Sequence, residues 1–251
     1  MAGAHASCAN LLHWRGASAQ AQAHYRAGLE LARFIDPAAL GGLHCNLGAS
    51  LYKTGELDAG EQQLREALAH CRLGGSVMQL SITHCQLAML ALRRGDWPAA
   101  RVHTEASEAH ALQADYRRGV ATAALLHAGI NAHFGNALSA HDALQQGLSA
   151  FKALGIAEGP NGKIEGCVMR LPRRPADACR ALGEGLRLAA AFPLKAGRLQ
   201  AQLALTEQGD GETERAQASA RQAVELFLAC EAPLLAHAVS DAFGLPAALP
   251  V

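Results

Sequence analysis

Two His-Cys doublets stand forty residues apart, at His44-Cys45 and His84-Cys85. Imidazole and thiolate are the side chains structural zinc takes, about four of them in a tetrahedron at about 2.0–2.3 Å from the ion. Adjacent residues of a helix point about 100° apart, so one doublet does not turn both its side chains to one ion. Equivalent residues of neighbouring packed helices stand about 8–10 Å apart, so one residue from each doublet does not meet at an ion either. The spacing predicts that each doublet marks the same place in a repeated element, with no metal site and no cofactor. "EGPNGKI" is not a phosphate loop, because position 157 is Ala and position 164 is Ile where that motif needs Gly and Ser or Thr. "HTEASEAH", from His103, is not a zinc-protease helix and reads as a solvated face. "LPRRP", Leu171 to Pro175, reads as a linker. No nucleophile with a plausible base and no paired carboxylates stand out, so no enzyme is expected.

The elements that carry the doublets repeat. Shifted by forty, Leu47 falls on Leu87 and His127, Gly48 on Ala88 and Ala128, and Gly55 on Gly95 and Gly135. Gly60 falls on Ala100 and Ala140, and Leu64 on Thr104 and Leu144. Each copy reads as two helices. "GLHCNLGASLYKT" puts Leu43, Leu47 and Leu51 on one face, and Gly55 ends it in the left-handed conformation. Asp58 then caps the next helix, with Glu61 completing a capping box and Arg65 pairing with Glu61 at i,i+4. Leu64, Ala67, Leu68 and Cys71 face inward. In the next copy Asp96 is the cap, Pro98 lies in the first turn, and Trp97, like Trp14, packs near a helix junction. A period in this range with a helix-turn-helix inside it marks an α-solenoid.

Leu47-Gly48, Leu51, Gly60 and Leu64 give this pattern a clear likeness: it resembles the tetratricopeptide repeat. An earlier copy reads Cys8-Ala9, Leu12, Gly16, Ala21, Tyr25, Gly28, and a late one Leu203-Ala204, Gly211, Ala216, Ala220, Ala223. The resemblance implies an all-α, right-handed α-solenoid of about six helix hairpins. Gly155 to Pro175, with three prolines and four glycines, makes the fifth irregular, and "ADACRALGEGLRLAAAF" after it reads as a helix again. One unit is expected over residues 1–251, with regular repeats at about 2–154, an irregular segment at 155–176 and terminal helices at 177–251. A forty-residue period exceeds the usual 34 and requires longer helices or linkers. Such long repeats look like the sensor arms of large bacterial ATPase and LuxR-like transcription activators.

The resemblance also implies which residues face a concave groove. In the first full copy these are Cys45, Ala49, Tyr52 and Lys53; in the second Cys85, Met89, Leu92 and Arg93. In the third they are Leu125, Gly129, Ala132 and His133. Family members that grip a peptide's terminal carboxylate carry Lys, Asn and Arg at these places. Here charge stands only at Lys53, Arg93 and His133, so that clamp is absent. The expectation is an apolar groove with a basic rim that takes a protein or peptide partner as a helix or extended segment. The alternative is a ligand-sensing arm of a transcription-control system, with a small-molecule effector.

Composition narrows the partner. The chain has 22 basic and 22 acidic residues and no run of one sign, which disfavours nucleic acid. No apolar stretch approaches the roughly 20 residues that span a bilayer, and no membrane role is expected. "MAGAHASCANLLHWRG" does not have the form of a signal peptide. Seven cysteines without a CxxC suggest free thiols in a reducing compartment, the cytoplasm.

Overall fold

The computed structural model describes residues 2–32, 37–155 and 175–246. Among them are twelve helices and no strand: α1 (Ala2–Arg15), α2 (Ser18–Ala32), α3 (Pro37–Thr54), α4 (Leu57–Leu73), α5 (Val77–Arg94) and α6 (Trp97–Gln113). These are followed by α7 (Arg117–His133), α8 (Ala137–Ala153), α9 (Pro175–Leu188), α10 (Pro193–Gly209), α11 (Thr213–Ala229) and α12 (Pro233–Phe243). The helices pair as hairpins α1/α2, α3/α4, α5/α6, α7/α8 and α10/α11. The second helix of a hairpin packs on the first helix of the next, as α2 does on α3, α4 on α5 and α6 on α7. This is an α-solenoid. Most of the irregular segment lies outside the described residues, and the helix expected after it is α9.

The long period comes from the helices. Those of the second to fourth hairpins have 17 or 18 residues, joined within the hairpin by turns of two residues in the second and third and three in the fourth. Each hairpin turn carries a glycine at positive φ: Gly16 at 87°, Gly55 at 105°, Gly95 at 73°, Gly135 at 80° and Gly211 at 81°. At Gly95 the turn closes α5 by returning N–H groups to the carbonyls of Ala91 and Leu92. Asp96 caps α6, its carboxylate accepting from the Ala99 N–H at 3.0 Å, and Pro98 sits in the first turn.

The expected cap at Asp58 is not formed. Helix α4 starts one residue earlier, at Leu57, and its N-cap Glu56 makes no side-chain cap bond. Asp58 therefore falls inside the first turn, where it and Glu61 both receive the guanidinium of Arg94 from α5. Glu61 also accepts from Arg65, as expected. The acids that were to close a capping box instead tie two hairpins together at the surface.

Within each hairpin the helices cross on small residues. A Cβ built on Gly48 would stand 2.8 Å from the Gly60 carbonyl oxygen, and one on Gly60 would stand 2.9 Å from the Tyr52 amide nitrogen. The equivalent pairs Ala9/Ala21 and Ala88/Ala100 are fully buried, as are Ala204 and Ala216 in α10/α11. Around these crossings lies the core. Leu43, Leu47 and Leu51 of α3 join Ala21 and Tyr25 of α2. Leu64, Ala67 and Leu68 of α4 join Leu87 and Leu90 of α5.

The last helices return to the first hairpins. Glu231, between α11 and α12, accepts from the Ala19 N–H in the first turn of α2 at 3.0 Å, where a carboxylate is also favoured by the helix dipole. Arg198 of α10 donates to the Lys53 carbonyl in the last turn of α3. Gly16 lies against Cys230 and Pro193, and Gly55 against Leu234 and Leu235.

Gly55 and Gly95 share a backbone conformation but differ in surroundings. At Gly95 an added Cβ meets nothing within 4 Å, whereas at Gly55 it comes within 3.0 Å of Leu234 Cβ. Gly95→Ala should therefore destabilise by about 1 kcal/mol, the cost of a non-glycine residue at positive φ. Gly55→Ala should cost clearly more, because it also pushes α12 away. Urea midpoints of the two variants check this order, and equal losses would show that the contact between α12 and the Gly55 turn does not stabilise the chain.

Candidate binding surface

The residues assigned to a concave groove divide by burial. Cys45, Ala49, Tyr52, Leu92, Leu125 and Gly129 are buried; Lys53, Cys85, Met89, Arg93 and Ala132 are half-buried; and His133 is exposed. The open part of the strip is thus narrower than the resemblance implies. Tyr52 shows why. Its backbone and Cβ lie on the Gly60 crossing, and its hydroxyl crosses to α5, donating to Gln86 Oε1 at 2.6 Å with Met89 Sδ at 3.9 Å. Cys45, Ala49 and Tyr52 are consequently part of the core shared by α3, α4 and α5. His133, placed at the rim, stacks its ring on Trp97 at 3.8 Å. The side chain of Trp14 lies outside what the structure describes.

Positive charge gathers at the end of α3. The Arg93 guanidinium lies 5.4 Å and the Lys53 ammonium 6.0 Å from the Tyr52 ring centroid, a favourable place for a cation. Lys195 and Arg198 join them from α10. His13 stands beside these groups, its Nδ1 3.4 Å from Ser50 Oγ, and its pKa is lowered to about 3, first by burial and then by Lys53, Arg198 and Lys195. His13, Lys195 and Arg198 are the members of this surface that the repeat pattern did not indicate. Lys195 and Arg198 carry no local signal, because they arrive through the return of the C-terminal helices, whereas His13 belongs to α1 and stands at the place in the first hairpin that Tyr52 holds in the second. The thiols nearby are inert. Burial pushes Cys45 up to about 12 and Cys85 up to about 11, while Lys53 acts in the opposite direction on both.

A second constellation lies one turn from the crossings of the first three hairpins. Four residues before the small residue of the first helix stands a histidine, and three after the small residue of the second stands its partner. His5 Nδ1 is 3.0 Å from His24 Nδ1, His44 Nδ1 is 2.9 Å from Gln63 Oε1, and His84 Nδ1 is 3.1 Å from His103 Nδ1. A further ring stacks on two of them, His70 on His44 at 5.3 Å and His110 on His84 at 5.6 Å. The "HTEASEAH" segment is therefore not the solvated face expected. His103 and His110 turn to His84, and Ser107 is buried and bonded to Ser81. Burial lowers the pKa of His84 to about 4, with His103, His110 and Arg72 adding to it, and burial also lowers His103 and His44. Among the described residues no group of three or more His, Cys, Asp or Glu is placed to hold a metal ion. None of the described helices is long and apolar enough to cross a membrane.

With this geometry the chain can be set beside known proteins. No protein-family model and no curated sequence matches it. Solved structures do. A Rap protein complexed with Competence and Sporulation Factor superposes with a TM-score of 0.76 at 12% identity, over 92% of this chain and 64% of that one. Aspartyl phosphate phosphatase F from Bacillus subtilis gives 0.71 at 10% identity, over 90% and 59%. A signal-transduction ATPase with a tetratricopeptide repeat sensor, from Pyrococcus horikoshii, gives 0.55 at 14% identity, over 97% and 39%. The chain spans less than two thirds of each of these proteins. At such identities the likeness shows the fold alone, and that fold is the tetratricopeptide-like helical repeat.

The depressed histidines set a pH dependence. His13, His44, His84 and His103 hold native pKa values below the ordinary 6.5, so below that pH the unfolded chain takes up protons that the folded chain refuses. Their contribution to stability is present above about pH 6.5 and is lost as pH falls toward the lowered native values, about 4 for His84 and about 3 for His13. Urea midpoints should drop between pH 7 and pH 4, and His13→Asn with His84→Gln should flatten that drop. An identical pH profile in the double variant would show that these two imidazoles are not held neutral by the fold.

Proposed function

We propose that the chain is a binding module, not an enzyme, and that it takes a protein or peptide segment along the first helices of its hairpins. The observation that supports this is the half-buried strip in which Cys85 and Met89 are uncharged and Lys53 and Arg93 are basic, with Lys195 and Arg198 close by. Such a surface suits an extended segment with apolar side chains and at least one carboxylate. The solved Rap protein of the same fold holds Competence and Sporulation Factor, which is consistent with a partner held by this architecture. A cytoplasmic setting fits the six free cysteines of the described residues.

A second reading keeps the same surface and changes the occupant. In it the chain is a sensing arm for a small molecule within a larger regulator. It draws on the superposition of 97% of this chain on part of an ATPase with a tetratricopeptide repeat sensor.

Selection from a displayed random-peptide library distinguishes the two. The native chain should recover peptides with apolar residues and Asp or Glu, and Lys53→Glu with Arg93→Glu should lose them at least tenfold in affinity. The loss should show in both association and dissociation rates, since half-buried charges hold a partner as well as steer it. Circular dichroism controls for folding, and Lys53→Ala provides a milder variant that does not reverse the charge. Recovery of no peptide, or of peptides that bind the reversed-charge variant unchanged, would overturn the peptide reading.

A further inference from the structure

We propose that the histidine pairs His5/His24 and His84/His103 are two two-imidazole clips for a divalent late transition metal ion such as Zn²⁺. They sit at the same place in the first and third hairpins. The Nδ1···Nδ1 separations are 3.0 and 3.1 Å. Two nitrogens each about 2.0–2.1 Å from one ion stand about 2.9 Å apart at a right angle and about 3.3 Å apart at the tetrahedral angle. Both pairs fall within that bite. The rings are tilted by 43° and 37° with centroids 5.1 and 5.4 Å apart, so neither pair is itself a face-to-face stack, and His110 stacks on the buried His84 at 5.6 Å.

The position is built by the fold. Each pair spans one hairpin a single turn from its small-residue crossing, Ala9/Ala21 in the first and Ala88/Ala100 in the third. That crossing fixes the distance between the helices, and hence the bite of the pair, before any ion arrives. Imidazole nitrogen suits zinc, nickel and copper, and two such ligands leave the remaining coordination positions to water. In the unloaded pair one Nδ1 carries the proton that the other accepts. On binding, that ring moves its proton to Nε2, and both Nδ1 lone pairs are given to the ion. The second hairpin has the same geometry with one change. His44 meets Gln63, whose amide offers no imidazole nitrogen. That hairpin is a control supplied by the chain itself, and it shows that glutamine is accommodated at the second position.

Calorimetric titration of tag-free, reduced, full-length protein with zinc chloride tests this. The native chain should bind two equivalents at micromolar affinity. His24→Gln should remove one, His103→Gln the other, and the double variant both, while His44→Gln and Cys8→Ser should leave two. A readout that needs no variant is the ¹⁵N shift of the Nδ1 atoms of His5, His24, His84 and His103, which should move on zinc addition. No binding below millimolar zinc, unchanged stoichiometry in the double variant, or loss of an equivalent in Cys8→Ser would each overturn the proposal.

Discussion

The structure depends on how closely two helices approach at one point. In each hairpin the helices cross where both carry nothing larger than a methyl group, and at Gly48/Gly60 not even that. Leucine at either position would force the helices apart and open the interior that Tyr52, Leu64 and Leu87 now fill. The close crossing also sets the register between the two helices. That register decides which residues meet one turn away, and so it is the reason histidine faces histidine or glutamine in three successive hairpins.

The parts legible in the sequence were those that repeat. Glycines at positions 16, 55, 95, 135 and 211, small residues at the crossings and leucines at helical spacing are local signals, and the hairpins followed from them. The cap of α4 was misplaced because Glu56 and Asp58 are both acids, and only the two-residue turn after Thr54 decides which stands at the helix start. The burial of groove positions was not legible for a different reason. Carrying over family positions says which way a side chain points but not how near the next helix lies. Tyr52 reaches that helix, and its neighbours are closed off with it.

What had no local signature was the cationic end of the strip. Lys53 and Arg93 belong to adjacent repeats and His13 to the hairpin before them, but Lys195 and Arg198 come from a distant part of the chain. Their meeting is a tertiary fact. The pKa of His13 is lowered first by its burial there and then by these cations. The histidine pairs lie between these cases. Their residues were visible as doublets, but their partners stand on the other helix of the hairpin and not in the neighbouring repeat.

The return of the last helices onto the first hairpins has a consequence for how the chain unfolds. An open array of repeats has free ends that fray, and each unit is held only by its neighbours. Here the Glu231 bond to the start of α2 and the Arg198 bond to the end of α3 join sequence-distant units. These bonds oppose separation of the last helices from the first hairpins and favour a more cooperative transition than an open array would show. The chain also acquires contacts of very long sequence separation, which slow folding relative to an open array of the same hairpins.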